Sequence, residues 1–208
     1  MRNVLLVMSA LFTLSLPVAA LDRAVIAEQA ESVTPLLNGQ TIPNTTLKLA
    51  DGAPVSLGAL AMQKPSIILF YRGGWCPYCN RQLAELKDIE GELVELGYQV
   101  LAISPESPAR LQEQKLETEF AVTLLSDESL DTIRSFGIGF YVDAQTSNRY
   151  QNEMDIELTE DTSQRSVLPA PAIFIADTQG VVQFSYVNPN FRVRPSAELL
   201  LNVAKALK

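Results

Sequence analysis

Cys76 and Cys79 are the two cysteines of the chain and stand two residues apart in Trp75-Cys76-Pro77-Tyr78-Cys79. They follow the apolar run Ser66-Ile67-Ile68-Leu69-Phe70-Tyr71 and precede a helical pattern, so the dithiol sits at a strand-to-helix junction. There the positive end of a helix lowers a thiol pKa and a second thiol close by can resolve what the first one forms. Redox chemistry is the expectation. A protein-only zinc site needs four ligands, and two cysteines with no histidine do not supply them. No metal and no cofactor is therefore expected. An inert bridge is a poor alternative, because closing so short a loop removes little unfolded-state entropy. Without histidine there is also no Cys-His pair and no histidine base. Arg72 and Arg81 are the cations nearest in sequence. Arg72 is a candidate to favour a thiolate, whereas Arg81 reads better as a solvated helix side chain. Glu85 also reads as a solvated helix residue, and Asp127 and Asp177, at strand ends, as turn and capping residues.

The elements that must hold this pair follow from periodicity. Residues 21–35 read as an N-terminal helical extension, with Val25, Ile26 and Gln29 at helical spacing. Thr45 to Leu49 and Val55 to Leu57 flank Asp51-Gly52, a hairpin signal. Ser66 to Tyr71 has the unbroken apolar character of a strand covered on both faces. Leu83, Leu86, Ile89, Leu93 and Leu96 then trace one helical stripe, ended by Gly97. A second strand over Tyr98 to Ser104, a helix over Pro108 to Phe120, a short strand from Thr123 and a short helix from Leu130 complete a βαβα unit. Residues 139–167 are a polar insert with Phe140, Tyr141, Tyr150 and Ile156 as anchors, long enough to be either a lid beside the dithiol or a surface excursion away from it. Leu168 to Ala176 and Val181 to Val187 form a hairpin through Asp177-Thr178-Gln179-Gly180. Ser196 then caps a closing helix with Leu199, Leu200, Val203 and Leu207 on its core face. The expected fold is α/β, a thioredoxin-like central mixed sheet flanked by helices, over residues 36–208.

Residues 1–20 have a basic start at Arg2, an apolar run from Val4 to Leu16 and small residues up to Ala20, the pattern of a secretory signal peptide. The apolar stretch is short for a bilayer span, so no stable membrane association is expected after cleavage. The protein would be exported, and periplasmic in a didermic bacterium, where disulfides persist and a reducing dithiol needs a dedicated thiol donor. Beyond residue 20 the chain carries 15 basic against 24 acidic side chains, a formal charge of −9. An acidic surface repels phosphate backbones, so nucleic acid is not an expected partner.

Four segments resemble the alkyl hydroperoxide reductase and thiol-specific antioxidant group of thioredoxin-fold proteins, the peroxiredoxin-like group. They are Gly52-Ala53-Pro54-Val55-Ser56-Leu57, Ile68 through Arg72-Gly73-Gly74-Trp75 to Cys79, Leu124-Leu125-Ser126-Asp127, and Phe174 to Gly180. The likeness extends over residues 36–187. Two departures bear on mechanism. Peroxiredoxins carry Pro-x-x-x-Thr-x-x-Cys, and here those places are held by Arg72, Cys76 and Cys79, so the family pattern would put the peroxide-reacting cysteine at Cys79. The arginine that the family supplies at the later strand is replaced by Pro169-Ala170-Pro171-Ala172, closer to the cis-proline loop of thioredoxin.

Resemblance to thioredoxin implies instead that Cys76 is the exposed nucleophile at the helix start and that Cys79 closes the bridge. Pro77 would stiffen the first turn, Tyr78 would line the groove and tune the potential, and Trp75 would pack beside the dithiol. A cis Ala170-Pro171 would leave the Ala170 backbone free for an extended substrate. These features imply a thiol-dependent oxidoreductase cycling Cys76 and Cys79, with a peroxide or a disulfide as substrate and an unidentified thiol as electron donor. Exchange on protein disulfides without peroxidase activity, and a redox-sensing or binding protein without turnover, are the competing readings.

Overall fold

The computed structural model describes residue 23 and residues 25–118 and 122–208. The signal segment expected over residues 1–20 lies outside the described residues. In chain order the elements are β1 (Thr46–Leu49), β2 (Pro54–Ser56), α1 (Leu57–Gln63), β3 (Ser66–Phe70), α2 (Pro77–Glu95), β4 (Gln99–Ser104), α3 (Pro108–Thr118), β5 (Thr123–Ser126) and α4 (Asp131–Ser135). Then come β6 (Gly139–Tyr141), α5 (Ala144–Asn148), a π-helical turn at Arg149–Glu153, β7 (Val167–Pro169), β8 (Ala172–Ala176), β9 (Val182–Val187) and α6 (Ala197–Ala206). Seven strands form one sheet in the order β2-β1-β5-β4-β3-β8-β9, with β3, β4 and β5 parallel and the remaining pairs antiparallel. This is the thioredoxin-like layout, with the dithiol at the turn from β3 into α2.

β3 is buried at every position, and its alternation divides the molecule into two cores. Ile68 and Phe70 face one side, where Phe70, Phe136 and Phe174 meet with ring centroids 4.8 Å and 5.0 Å apart along the chain of contacts. Ile67 and Leu69 face the other, against Leu83, Leu86 and Leu93 of α2 and Leu200 of α6. Both cysteines belong to this second core. Truncating a fully buried aromatic such as Phe70 to alanine would cost about 3–5 kcal/mol.

Several local expectations differ from the structure. Where spacing predicts a helix over residues 21–35, the described part runs extended to a single 3-10 turn at Ala30–Ser32. Tertiary pairing overrides the spacing there: Ala27 bonds the backbone of Gly139 and Tyr141, and the Thr34 N–H donates to the Gly137 carbonyl at 2.9 Å. Gly137 has φ +67°, and a Cβ on it would lie 2.1 Å from the Thr34 oxygen, so this close approach requires glycine. The hairpin expected around Asp51-Gly52 is present, with Val55 and Ser56 in β2 paired antiparallel to β1, but Leu57 leaves the strand. Ser56 accepts from the Ala59 N–H at 3.1 Å and starts α1.

The single strand expected over Leu168 to Ala176 is two. β7 pairs with β6 in a separate two-stranded sheet, and β8 pairs with β3 and β9, because Pro169 and Pro171 lack the N–H that a continuous ladder needs. On α6, the buried residues are Leu200, Leu201 and Ala204, while Leu199 is 47% exposed and Leu207 is 38% exposed. The register of α6 against α2 sets that face. Residues 139–167 carry β6, α5 and the π-helical turn, and Val142, Tyr150, Ile156 and Leu158 bury a small core of their own with Leu168. Asp127 accepts from the N–H groups of Thr132 and Ile133 at 3.1 Å and 2.7 Å, and Asp177 from those of Gln179 and Val181 at 2.8 Å and 2.9 Å. Both serve as capping and turn residues, as their positions at strand ends suggest.

Candidate active site

Cys76 is the N-cap of α2, with Pro77 at the first helical position, where a missing N–H costs nothing. Its carbonyl receives the N–H groups of Cys79 and Asn80, both at 3.0 Å, which places Cys79 one turn into the helix. The preceding loop is held from outside. Gly74 donates its N–H to the Glu106 carboxylate at 2.8 Å, and Asn80 donates to the Gly74 carbonyl at 2.7 Å. Gly73 has φ +149°, and a Cβ there would fall 2.4 Å from Trp75 Nε1 and 2.9 Å from the Glu106 carboxyl carbon. Gly73 is thus what lets Trp75 and Glu106 close over the turn, whereas a Cβ on Gly74 would press on the Gln114 side chain at 3.0 Å.

The two sulfurs are free thiols with opposite acidities. Cys76 is driven down to about 6, first by the hydrogen bond that Cys79 donates to it, then by the backbone N–H of Cys79 and the charge of Arg72, against the cost of its own burial. Cys79 is held well above the ordinary thiol range, because it is the donor in that bond and because it is buried. Near neutral pH the pair is therefore a Cys76 thiolate beside a Cys79 thiol.

Each sulfur has its own arginine. Arg72, 5% exposed, donates to the Tyr150 hydroxyl at 2.7 Å, and its guanidinium carbon lies 4.8 Å from the Trp75 ring centre, 5.3 Å from that of Tyr150 and 4.3 Å from that of Phe191. Its Nε has no hydrogen-bond partner among the described residues. Arg194, from the segment between β9 and α6, brings an amino nitrogen to 3.7 Å from the Cys79 sulfur. Arg81 is exposed and leans over Tyr78 at 5.9 Å. Glu106 is buried, and desolvation raises its pKa. Trp75 borders a cavity of about 640 Å³ with Glu106, Arg110 and Leu158, whereas Arg72, Tyr150, Pro171 and Phe191 border another of about 400 Å³. Among the described residues no group of three or more His, Cys, Asp or Glu side chains is placed to hold a metal ion.

A sequence profile described as the AhpC/TSA family matches residues 38–185, well over half of the chain. The chain belongs to the AhpC/TSA family. Chloroplastic peroxiredoxin Q of Oryza sativa subsp. japonica is 28% identical over 150 residues, 72% of this chain and 58% of that protein. Peroxiredoxin Bcp of Escherichia coli (strain K12) is 32% identical over 106 residues, 51% of this chain and 67% of that protein. The chain thus spans less than two thirds of the rice relative's length. Among solved structures, peroxidoxin BcpB from Mycobacterium tuberculosis has a similar fold, with a TM-score of 0.65 at 18% identity over 82% of this chain and 97% of that one. Fold and family agree on a peroxiredoxin-like, thioredoxin-fold protein.

In this AhpC/TSA member the site departs from the thioredoxin expectation in two respects. Cys76 is 1% exposed and Cys79 fully buried, so the first cysteine is not an open nucleophile. Trp75 and Tyr78 pack onto the core that contains both sulfurs, and Phe191 meets the Tyr78 ring at 5.7 Å. The Ala170-Pro171 bond is trans, as is every peptide bond among the described residues. The Ala170 N–H donates to the Ile138 carbonyl at 2.8 Å and Ala170 is fully buried, so its N–H is not free for an extended substrate. Pro171 instead lines the cavity beside Arg72 and receives the Asn188 N–H on its carbonyl at 3.1 Å. Phe191, Arg194 and Glu106 lie outside every motif of the sequence, and nothing local marks them as part of the site. Tyr150 alone carries a signal, as an aromatic anchor in a polar insert.

Proposed function

We propose that this protein is an exported thiol peroxidase in which Cys76 attacks the peroxide and Cys79 resolves the product. The observation that carries the reading is a thiolate that is both capped by a helix start and almost wholly covered. A peroxide presents two small oxygens to a covered sulfur, whereas the disulfide of a folded protein needs an open thiol and a free strand edge to dock on. Relatives named peroxiredoxin point the same way.

The steps balance without any group beyond a thiol donor. The Cys76 thiolate attacks one peroxide oxygen, the O–O bond breaks, and the departing oxygen takes a proton as water or alcohol, leaving Cys76 as a sulfenic acid. Cys79 gives up its proton and attacks the Cys76 sulfur, releasing water and forming the Cys76–Cys79 bridge. With no third cysteine in the chain, the two electrons that reopen the bridge come from an external thiol. The segment over residues 1–20 supports export, and in a didermic bacterium the periplasm, where that donor would have to be supplied.

The test compares rates. Reduced protein is mixed with hydrogen peroxide, and separately with a protein disulfide, with dithiothreitol as the regenerating donor. Fast oxidation by peroxide is expected. Reaction with the protein disulfide alone would make it an exchange enzyme, and slow reaction with both would leave a redox sensor.

A further inference from the structure

Cys79 poses a problem that its own helix does not solve. It is fully buried, one turn inside α2, and must carry negative charge twice per cycle: when it attacks the Cys76 sulfenic acid, and when the bridge is reopened and Cys79 is the leaving group. An uncompensated buried charge is costly. The helix start serves Cys76 at the N-cap, and Arg72 directs its guanidinium to Tyr150 and the rings around it, giving Cys79 only a backbone hydrogen bond.

The cation that reaches Cys79 comes from far along the chain. Residues 188–195 leave β9 and make a series of tight turns before α6. Asn188 donates its N–H to the Pro171 carbonyl, Asn190 donates to the Asn188 side chain at 2.9 Å, and Arg192 donates to the Asn190 side chain at 3.1 Å. Phe191 is wedged between Tyr78 and the Arg72 guanidinium. With the segment seated this way, Arg194 places one amino nitrogen on the Val193 carbonyl at 3.1 Å and the other at 3.7 Å from the Cys79 sulfur. Among the described residues its buried Nε has no hydrogen-bond partner and no carboxylate pairs with its guanidinium. A half-buried guanidinium with no anion of its own, facing a sulfur that must become an anion, is a charge site awaiting that state.

We propose that Arg194 is the charge partner of Cys79: it holds Cys79 as a thiolate in the resolving step and again when the Cys76–Cys79 bond is cleaved. In resolution, Cys79 loses its proton beside Arg194, its electron pair forms the S–S bond, and the hydroxyl on Cys76 leaves as water. In reduction, the donor thiolate attacks the Cys76 sulfur, the S–S electron pair passes to Cys79, and Arg194 stabilises it until it is protonated. The resolving half of this proposal rests on the peroxidase reading, whereas the reductive half requires only the dithiol cycle. Burial disfavours the Cys79 thiolate and the Arg194 charge opposes that effect, which is the sign this role needs.

The experiment uses the full chain with Arg194→Gln and Arg194→Lys, and Arg194→Met, which keeps the apolar stem, should the glutamine variant fail to fold. Reduced protein receives one equivalent of hydrogen peroxide in the presence of dimedone, and labelled Cys76 is followed by mass spectrometry against bridge formation. Separately, the oxidised protein is reduced by dithiothreitol under fixed pH. For the neutral variant, Cys76 should oxidise at the wild-type rate, the sulfenic acid should persist with bridge formation at least tenfold slower, and reduction of the bridge should slow by a similar factor. The lysine variant should recover most of both rates. Unchanged resolution and unchanged reduction in the neutral variant overturn the role of Arg194. If one equivalent of peroxide gives neither a Cys76 adduct nor a bridge in the wild type or the neutral variant, while the neutral variant still slows reduction of the bridge by dithiothreitol, the peroxidase reading fails and Arg194 keeps its role.

Discussion

Two segments close over the dithiol from different parts of the chain, and they do different work. Residues 139–167 form a small structured unit with its own apolar cluster, and its contribution is indirect: Tyr150 holds Arg72 by one hydrogen bond and packs at a tilt against Trp75, ring centres 5.2 Å apart. Residues 188–195 are shorter and have no regular secondary structure, yet they place Phe191 against Arg72 and Tyr78 and bring Arg194 to the Cys79 sulfur. Length and composition single out the first, and direct contact with a reacting atom singles out the second. Size of an insertion is a poor guide to its closeness to the chemistry, because a few residues held by turns and a buried proline can aim one side chain as firmly as a whole subdomain.

The largest effect should come from removing the sulfur that each segment serves. Cys76→Ser should lower peroxide turnover by at least about a thousandfold. Cys79→Ser should keep the first oxidation and stop at a sulfenic acid on Cys76, which a dimedone adduct would reveal. An adduct on Cys79 in the Cys76→Ser protein, formed at the wild-type rate, would move the nucleophile to the position that the peroxiredoxin pattern suggests and would invert the comparison.

Next in size is Arg72→Met. Arg72 lowers the Cys76 pKa, so its loss should raise the midpoint of thiolate formation above about 6, read by ultraviolet thiolate absorbance. At a pH below both midpoints the thiolate fraction, and with it the peroxide rate, should fall roughly tenfold for every pH step by which the midpoint rises. The same ionisation is linked to stability. A thiol whose folded-state pKa is depressed adds stability that is present above the unfolded thiol value and is lost as pH falls through about 6. Reduced wild type should therefore lose stability relative to Cys76→Ser as pH is lowered across that window, and a constant difference from about pH 9 to about pH 5 would contradict the thiolate assignment.

Tyr150→Phe tests the insert with a single atom. It leaves a buried guanidinium without its hydroxyl acceptor, at a cost of about 1–3 kcal/mol in a denaturant melt, while the rate with peroxide should change less than in Arg72→Met. A rate loss equal to that of Arg72→Met would mean that the insert reaches the chemistry directly. The smallest effect belongs to Pro171→Thr. Because Ala170-Pro171 is trans and the Ala170 N–H is already bonded, this variant should turn over peroxide at close to the wild-type rate and trap no mixed disulfides. Accumulation of mixed disulfides would restore a substrate-docking role for that loop.

What the sequence determined by itself is the part set by neighbours along the chain. A proline after Cys76, a glycine pair before it, an apolar run that only a doubly covered strand satisfies and a leucine stripe at helical spacing place the dithiol at a helix start between β3 and α2. From these the redox chemistry and the α/β layout were legible, as were the capping roles of Asp127 and Asp177. The acidity order of the two thiols follows partly from the same local geometry. The rest depends on contacts that no local pattern encodes. Arg72 meets Tyr150 across 78 positions, Gly74 meets Glu106 across 32, and Cys79 meets Arg194 across 115. The same is true of the N-terminal residues, whose helical spacing yields to backbone pairing with residues 136–141, and of α6, whose buried face is set by its register on α2. Spacing reports which residues share a face of their own element. Which element covers that face, and therefore how open a thiol is and which cation stands beside it, is decided by packing between distant segments.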